Sequence, residues 1–252
     1  MFFGKKKPSL PVTDAGDRIY AIGDIHGRFD LLEQIMIRIG EHSAGLKPGA
    51  SLNIIFLGDL IDRGPDSLKV LEYLFQLQRR AKGVVVLQGN HEEVFIKAID
   101  GDLQVLRNWL SYGGAQMLES LGLRVPGPGD DLEQCLDDLR RAVSPALVSW
   151  VRRLPLSAQS GDYFFCHAGI RPGVPLKRQV RDDLLWIRDD FLETEASLGA
   201  VVVHGHTIRP EVDMRHNRIG IDTGAYLHGV LTALYLEGDK REVLQVGRTQ
   251  TA

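Results

Sequence analysis

Short apolar runs that stop abruptly at glycine-rich polar clusters recur along the chain. Ile19 to Ile22 runs into Gly23-Asp24-Ile25-His26-Gly27, and Asn53 to Leu57 into Gly58-Asp59-Leu60-Ile61-Asp62-Arg63-Gly64. Val84 to Leu87 runs into Gln88-Gly89-Asn90-His91-Glu92, and Tyr163 to Cys166 into His167-Ala168-Gly169. Val201 to Val203 is followed by His204-Gly205-His206-Thr207, and Ile219 to Ile221 by Asp222-Thr223-Gly224. Each run is short and rich in β-branched or aromatic residues, the signature of a buried strand. Between the first three runs the apolar period lengthens to that of a helix. Leu31, Leu32, Ile35 and Ile39 follow Asp30, read as an N-cap, and Leu68, Leu71, Leu74 and Leu77 follow a cap at Asp66 or Ser67. Strands alternating with helices predict an α/β fold with parallel strands and right-handed crossovers.

From Glu93 to about Leu154 the pattern is helical, broken at Pro126-Gly127-Pro128-Gly129. This stretch, about residues 93–154, reads as a helical insertion that covers or flanks the site. Leu231 to Glu237 and Arg241 to Val246 across Gly238-Asp239 predict a closing hairpin. Residues 1–15 are expected as a flexible tail and 16–252 as one domain.

Composition narrows the function classes. At 44% hydrophobic and 25% charged residues, the 252-residue chain has a core of ordinary globular size. A net charge of −3 with scattered Lys and Arg argues against nucleic acid as the partner. No apolar run reaches bilayer length, so no membrane partner is expected. Cys135 and Cys166 form no CxxC pair, which excludes a disulfide framework and a thiolate zinc site. With no signal-peptide pattern at the start, the expected location is the cytoplasm.

The chemistry lies in where the polar clusters fall. In α/β sheets, ligands bind beyond the carboxyl ends of the strands, so clusters that each follow a strand converge if the strands are neighbours. Gly-Asp or Asn-His alone after a strand is ordinarily a turn. Asp, His, Asp, Asn, His and His together, with no cysteine, suit manganese, iron or zinc better than an oxygen-only calcium site. Two divalent ions about 4 Å apart are the usual device for in-line displacement at phosphorus, and a carboxylate is the natural bridge.

With these residues in place, the chain resembles the phosphoprotein phosphatase family of metallophosphoesterases, whose pattern is GDxHG, GDxxDRG and GNHE. Here the three stand complete at Gly23–Gly27, Gly58–Gly64 and Gly89–Glu92, with His167-Ala168-Gly169, Gly205-His206-Thr207 and Ile221–Ala225 behind them. The resemblance implies two facing mixed β-sheets flanked by helices, four layers in all. It assigns Asp24, His26 and Asp59 to one metal, and Asn90, His167 and His206, with Asp59 bridging, to a second. Manganese is the expected metal, with iron, zinc or magnesium as alternatives. It also implies that His91 is the general acid, oriented by Asp62, and that Arg63 and Arg188 bind phosphate. Direct attack by a metal-bridging hydroxide follows, and no activated Ser or Cys appears in the motifs.

Two enzymatic readings remain within the superfamily. The first is a serine/threonine protein phosphatase of the bacterial and phage branch, acting on a phosphorylated protein or peptide. The second is a symmetrical diadenosine tetraphosphate hydrolase, whose motifs usually read GNHD and GHW. Glu92 and Thr207 stand at the discriminating positions and point to the phosphatase. A non-catalytic scaffold would have lost a ligand or the acid, and here none is missing. His204 is left between supporting and structural roles, Asp222 reads as closing a turn, His42, His216 and His228 as surface residues, and Tyr112-Gly113-Gly114 as a turn between helices, with lining of the pocket as the alternative.

Overall fold

The computed structural model describes residues 10–247. The first half runs β1 (Asp17–Ile22), α1 (Phe29–Ala44), β2 (Ser51–Phe56), α2 (Ser67–Arg80) and β3 (Val84–Val86). Five helices follow: α3 (Asn90–Ile99), α4 (Leu103–Trp109), α5 (Ala115–Ser120), α6 (Leu132–Ala142) and α7 (Pro145–Arg152). The second half carries β4 (Ser157–Ser160), β5 (Tyr163–Cys166), α8 (Arg181–Trp186), α9 (Asp189–Leu192), β6 (Val201–His204), β7 (Asp213–Met214), β8 (Arg218–Gly220), α10 (Ala225–His228), β9 (Leu231–Glu237) and β10 (Lys240–Val246).

β1, β2 and β3 pair in parallel, and the β9–β10 hairpin adds antiparallel beside β1, giving the order β10-β9-β1-β2-β3. β5, β6 and β8 also pair in parallel, edged by antiparallel β4 and β7, in the order β4-β5-β6-β8-β7. Side chains alternate across a strand. Ile19, Ala21 and Ile55 of the first sheet therefore meet Phe165, Val203 and Ile219 of the second in one buried cluster, and the sheets face each other. Tyr20, Ile22, Ile54 and Phe56 point the other way and join the apolar faces of α1 to α7. Phe164, Cys166 and Val202 pack outward on Leu184 and Phe191 of α8 and α9. This is the four-layered α/β sandwich.

Local readings differ in places. Asp30 is not the N-cap of α1. The helix begins at Phe29 after Arg28, and Asp30 accepts from the Arg28 guanidinium at 2.8 Å and 2.7 Å. His42 is no surface residue: its Nδ1 lies 2.7 Å from the Tyr20 hydroxyl and its Nε2 3.2 Å from Glu242. The tail expectation falls partly outside the described residues. Within them, Thr13 is buried and its backbone N–H donates to the Gly238 carbonyl at 3.1 Å. β4 and β7 went unread because short polar edge strands carry little hydrophobic pattern. Among the described residues no helix is long and apolar enough to cross a membrane.

Candidate metal centre and cleft

The carboxyl ends of the two parallel trios meet at one edge of the sandwich, where backbone hydrogen bonds join their loops. The Ile25 and His26 N–H groups both donate to the Asp59 carbonyl, at 3.0 Å and 2.9 Å, and the Gly205 N–H donates to the His167 carbonyl at 2.8 Å. Other bonds span the sheets, among them His167 Nδ1 to the Leu57 carbonyl at 3.0 Å and the His206 N–H to Asp24 Oδ2 at 3.0 Å. Positive φ at His26, Asp59, Asp62, Arg63 and His206 marks every non-glycine residue of that kind among those described. Such backbone costs about 1–3 kcal/mol at a non-glycine residue and collects at functional sites. Gly58, at φ 97°, lies so close to the backbone of Gly89 that an added Cβ would stand 2.5 Å from the Gly89 nitrogen. The second and third loops therefore need glycine to touch.

Asp59 divides its two oxygens between two groups of side chains. Oδ2 lies 3.5 Å from His26 Nε2, and Oδ1 lies 3.4 Å from His167 Nε2. His26 Nδ1 stands 2.8 Å from the Ile61 carbonyl, as His167 Nδ1 does from Leu57. A carbonyl only accepts, so both rings carry a proton on Nδ1 and turn the Nε2 lone pair toward Asp59. Donation of the second ring N–H to a backbone carbonyl is how metal-ligating histidines are usually held. His167 Nε2 also lies 2.8 Å from Asn90 Oδ1 and 3.2 Å from His206 Nδ1. On the other side, Asp24 Oδ1 is buried with no hydrogen-bond partner. Lone pairs crowded together in a buried place repel unless a cation lies among them. This donor set fits two divalent cations sharing Asp59.

Protonation agrees with that fit, since a metal needs neutral imidazole and ionised carboxylate. Burial pushes His26 down to about 3 and His206 down to about 2, and it lowers His167 as well. Burial alone would raise the Asp59 carboxyl, but His167, His91, His26 and His206 surround it and hold it far below the usual range. Asp24 is raised by burial and by Asp222 and Asp59, a cost that a bound cation would relieve.

His91 sits beside this group, Nε2 3.9 Å from Asp59 Oδ2 and Nδ1 2.6 Å from Asp62 Oδ2. Burial opposes its charge, but Asp59 and Asp62 outweigh it and raise its pKa. Arg63 stacks its guanidinium 4.7 Å above the Tyr226 ring, and its Nη1 reaches 3.2 Å from His26 Nε2. Arg63 must turn off that lone pair when a cation takes it. Asp59, Arg63, Asn90, His91, Arg188 and His206 line one cleft of about 610 Å³. The residues expected from the sequence lie around this one place, but Asp24 reaches it only through the His206 N–H and stands outside the two close groups of possible ligands, His26 with Asp59 and His91, and Asp59 with His167 and His206.

The sequence reading missed the residues that hold this group. The Glu92 carboxylate accepts from the N–H groups of Asp59, Leu60, Ile61 and Gly89, at 2.9, 2.8, 3.3 and 2.8 Å, which fixes the Asp59 loop. Glu93 accepts from Trp186 Nε1 at 2.8 Å and Arg181 Nε at 2.7 Å, tying α3 to the helix that leads into Arg188. Trp109 Nε1 donates to Asp62 Oδ2 at 2.7 Å. Only the Gly113-Gly114 pair hinted at this last contact: a Cβ on Gly114 would stand 2.4 Å from the Trp109 ring. Tyr112 lines the cleft, together with Val94, Val105, Trp186 and Ile208. His204 packs edge-on against Phe191, with its Nδ1 3.0 Å from the Gly205 carbonyl, on the outer face of the second sheet. Asp222 closes a turn by accepting from the Gly224 N–H at 3.0 Å.

The sequence profile of the calcineurin-like phosphoesterases matches residues 17–229. A symmetrical bis(5'-nucleosyl)-tetraphosphatase of Vibrio cholerae is 30% identical over 153 residues, 61% of this chain and 45% of that protein. The chain thus matches under half the length of that relative. An asymmetrical bis(5'-nucleosyl)-tetraphosphatase of Anoxybacillus flavithermus is 29% identical over 233 residues, covering 84% of this chain and 88% of its own. Among solved structures, a proposed diadenosine tetraphosphatase superposes with a TM-score of 0.64 at 20% identity, over 96% of this chain and 100% of that one. That likeness speaks for the fold.

Proposed function

Because the chain belongs to the calcineurin-like phosphoesterase family, we propose that it is a metal-dependent hydrolase whose substrate is a dinucleoside polyphosphate. The observation that carries the chemistry is the division of the Asp59 oxygens between two groups of lone-pair donors. Divalent cations held there would supply an activated water and neutralise charge on the phosphate. The protein's own residues do the rest. Arg63 and Arg188, on the cleft wall, grip the phosphate oxygens, for which a guanidinium has matching geometry. His91, held through Nδ1 by Asp62, keeps its Nε2–H for the leaving oxygen. Its closeness to His26 and Asp59 would also allow a ligand role. The Asp62 bond and the raised pKa favour the proton donor.

The sequence motifs point to a phosphopeptide through Glu92 and Thr207. Two things now favour the dinucleotide. The relatives that cover the chain bear that name. The cleft of about 610 Å³ lies within the roughly 300–1,000 Å³ typical of small-molecule sites, and one wall of it is aromatic and apolar. The phosphopeptide reading keeps the support of Glu92 and Thr207.

The deciding measurement is kcat/KM for diadenosine tetraphosphate and for a phosphothreonine peptide, on one manganese-loaded preparation. The dinucleotide should be preferred by tenfold or more, and chromatography of the products shows whether ADP alone or ATP with AMP is released. A preference for the peptide would overturn the substrate assignment and leave the metal chemistry standing.

A further inference from the structure

We propose that Tyr112 is a stacking platform for the nucleobase of the substrate, a role that rests on the dinucleotide reading above. Tyr112 is 71% exposed, the most exposed large apolar side chain among the described residues, yet it lines the cleft that holds Asp59 and both arginines. Small-molecule clefts are lined mainly by apolar and aromatic side chains.

The backbone there is built for display. α4 does not run smoothly into α5. A single wide turn, Leu110–Gly114, joins them, with non-helical angles at Tyr112 (φ −106°, ψ 16°) and Gly113 (φ 116°). Gly113 cannot be replaced cheaply: beyond its positive φ, a Cβ there would stand 2.6 Å from Arg63 Cγ. The Gly113 carbonyl accepts from the Arg63 N–H at 3.0 Å. The backbone of Arg63, the residue assigned to the phosphate, is thus tied by one hydrogen bond to the residue that follows Tyr112. A ligand with a phosphate at one end and a flat ring at the other matches that arrangement. Asn108 and Val105, one and two turns back along the chain, continue the same wall. The Asn108 Oδ1 accepts from Gln104, which leaves its amide hydrogens for the edge of a ring.

A nucleoside fits this wall better than a peptide side chain. Every base has a π-face, and stacking on an aromatic residue is sequence-tolerant and strong. The test compares AMP with ribose 5-phosphate as inhibitors of a small alkyl phosphate's hydrolysis by the manganese-loaded chain. The two differ only in the base. AMP should bind about tenfold or more tightly, the effect of one stacked base. Tyr112→Ala should bring the two inhibition constants within about twofold, and Tyr112→Trp should restore the gap. Because the side chain is exposed, the variants should fold as the parent does. As a second readout, saturation-transfer NMR of adenosine with the metal-free chain should mark the base protons over the ribose protons, and Tyr112→Ala should abolish that pattern. Equal inhibition constants in the parent would overturn the platform, and so would a gap that survives Tyr112→Ala. Either result leaves the dinucleotide reading to its own kcat/KM comparison. A peptide preference there would overturn the dinucleotide reading and, with it, the role of Tyr112 toward the base of the substrate, even with the AMP gap intact.

Discussion

Trp109 donates its indole Nε1–H to Asp62 Oδ2 at 2.7 Å, the same oxygen that receives His91 Nδ1–H at 2.6 Å. One carboxylate oxygen, fully buried, thus receives one donor from the insertion and one from the GNHE loop. The indole limits the orientations open to Asp62, and Asp62 limits those open to His91. Trp109→Phe keeps the ring and removes the N–H. It should slow turnover of alkyl leaving groups by roughly tenfold, since a hydrogen bond to a charged group contributes about 1.5–3 kcal/mol. Aryl phosphate should be affected much less. In an Asp62→Asn background the substitution should no longer change the ratio of the two rates. Equal losses on both substrates would reduce Trp109 to a packing residue.

His91→Asn should show the same leaving-group dependence more strongly. General acid catalysis contributes about 10² to 10⁴ in rate, and a good leaving group needs little of it. Metal content, measured by plasma emission, should match the parent. If both substrate types lose activity alike with metal retained, His91 is not the acid.

Asp59→Asn removes the one charge that faces both groups of lone pairs. Manganese stoichiometry by equilibrium dialysis should fall at both positions together. Manganese should raise the Tm of the parent, because a ligand at 100 times its Kd stabilises the native state by about 2.7 kcal/mol, and it should leave that of the variant nearly unmoved. Full retention of one ion would show that Asp59 does not bridge.

Glu92→Ala would leave buried N–H groups of Asp59, Leu60, Ile61 and Gly89 without their acceptor. At about 1–3 kcal/mol for each buried group left unsatisfied, discounted for water entry, the loss should exceed about 3 kcal/mol in urea unfolding. Glu92→Asp, one methylene shorter, should fall between. A Glu92→Ala protein as stable as the parent would mean that the loop holds itself.

His204, two residues before His206, gives a pH signature of its own. Burial pushes its pKa down to about 4, so the folded ring stays neutral where the unfolded ring takes up a proton near 6.5. Its stabilising contribution is present above about pH 6.5 and is lost as the pH falls toward 4. Between pH 7 and 5 the parent should lose roughly 2 kcal/mol more than a His204→Phe variant, compared by denaturant unfolding. Parallel pH profiles would contradict this.

Much of the fold was legible because strands buried on both faces read as unbroken apolar runs. β1, β2, β3, β5, β6 and β8 were all visible in this way, and so were the polar clusters at their ends. The edge strands β4 and β7 were not, since both are short and carry almost no apolar residues.

The sequence by itself determined the kind of chemistry available: Asp, Asn and His placed immediately after buried strands, with glycines where loops must touch. Local pattern suffices for that, because a strand's end fixes where the next residue emerges. Only the tertiary structure decided which carboxylate oxygen faces which imidazole. It alone showed that Trp109, forty-seven positions from Asp62, shares an oxygen with His91, and that Gly113, the residue after Tyr112, accepts from the Arg63 N–H. These contacts cross from the helical insertion to the strand loops. No period in the chain encodes them, because they depend on how α3, α4 and α5 pack over the edge of the sandwich.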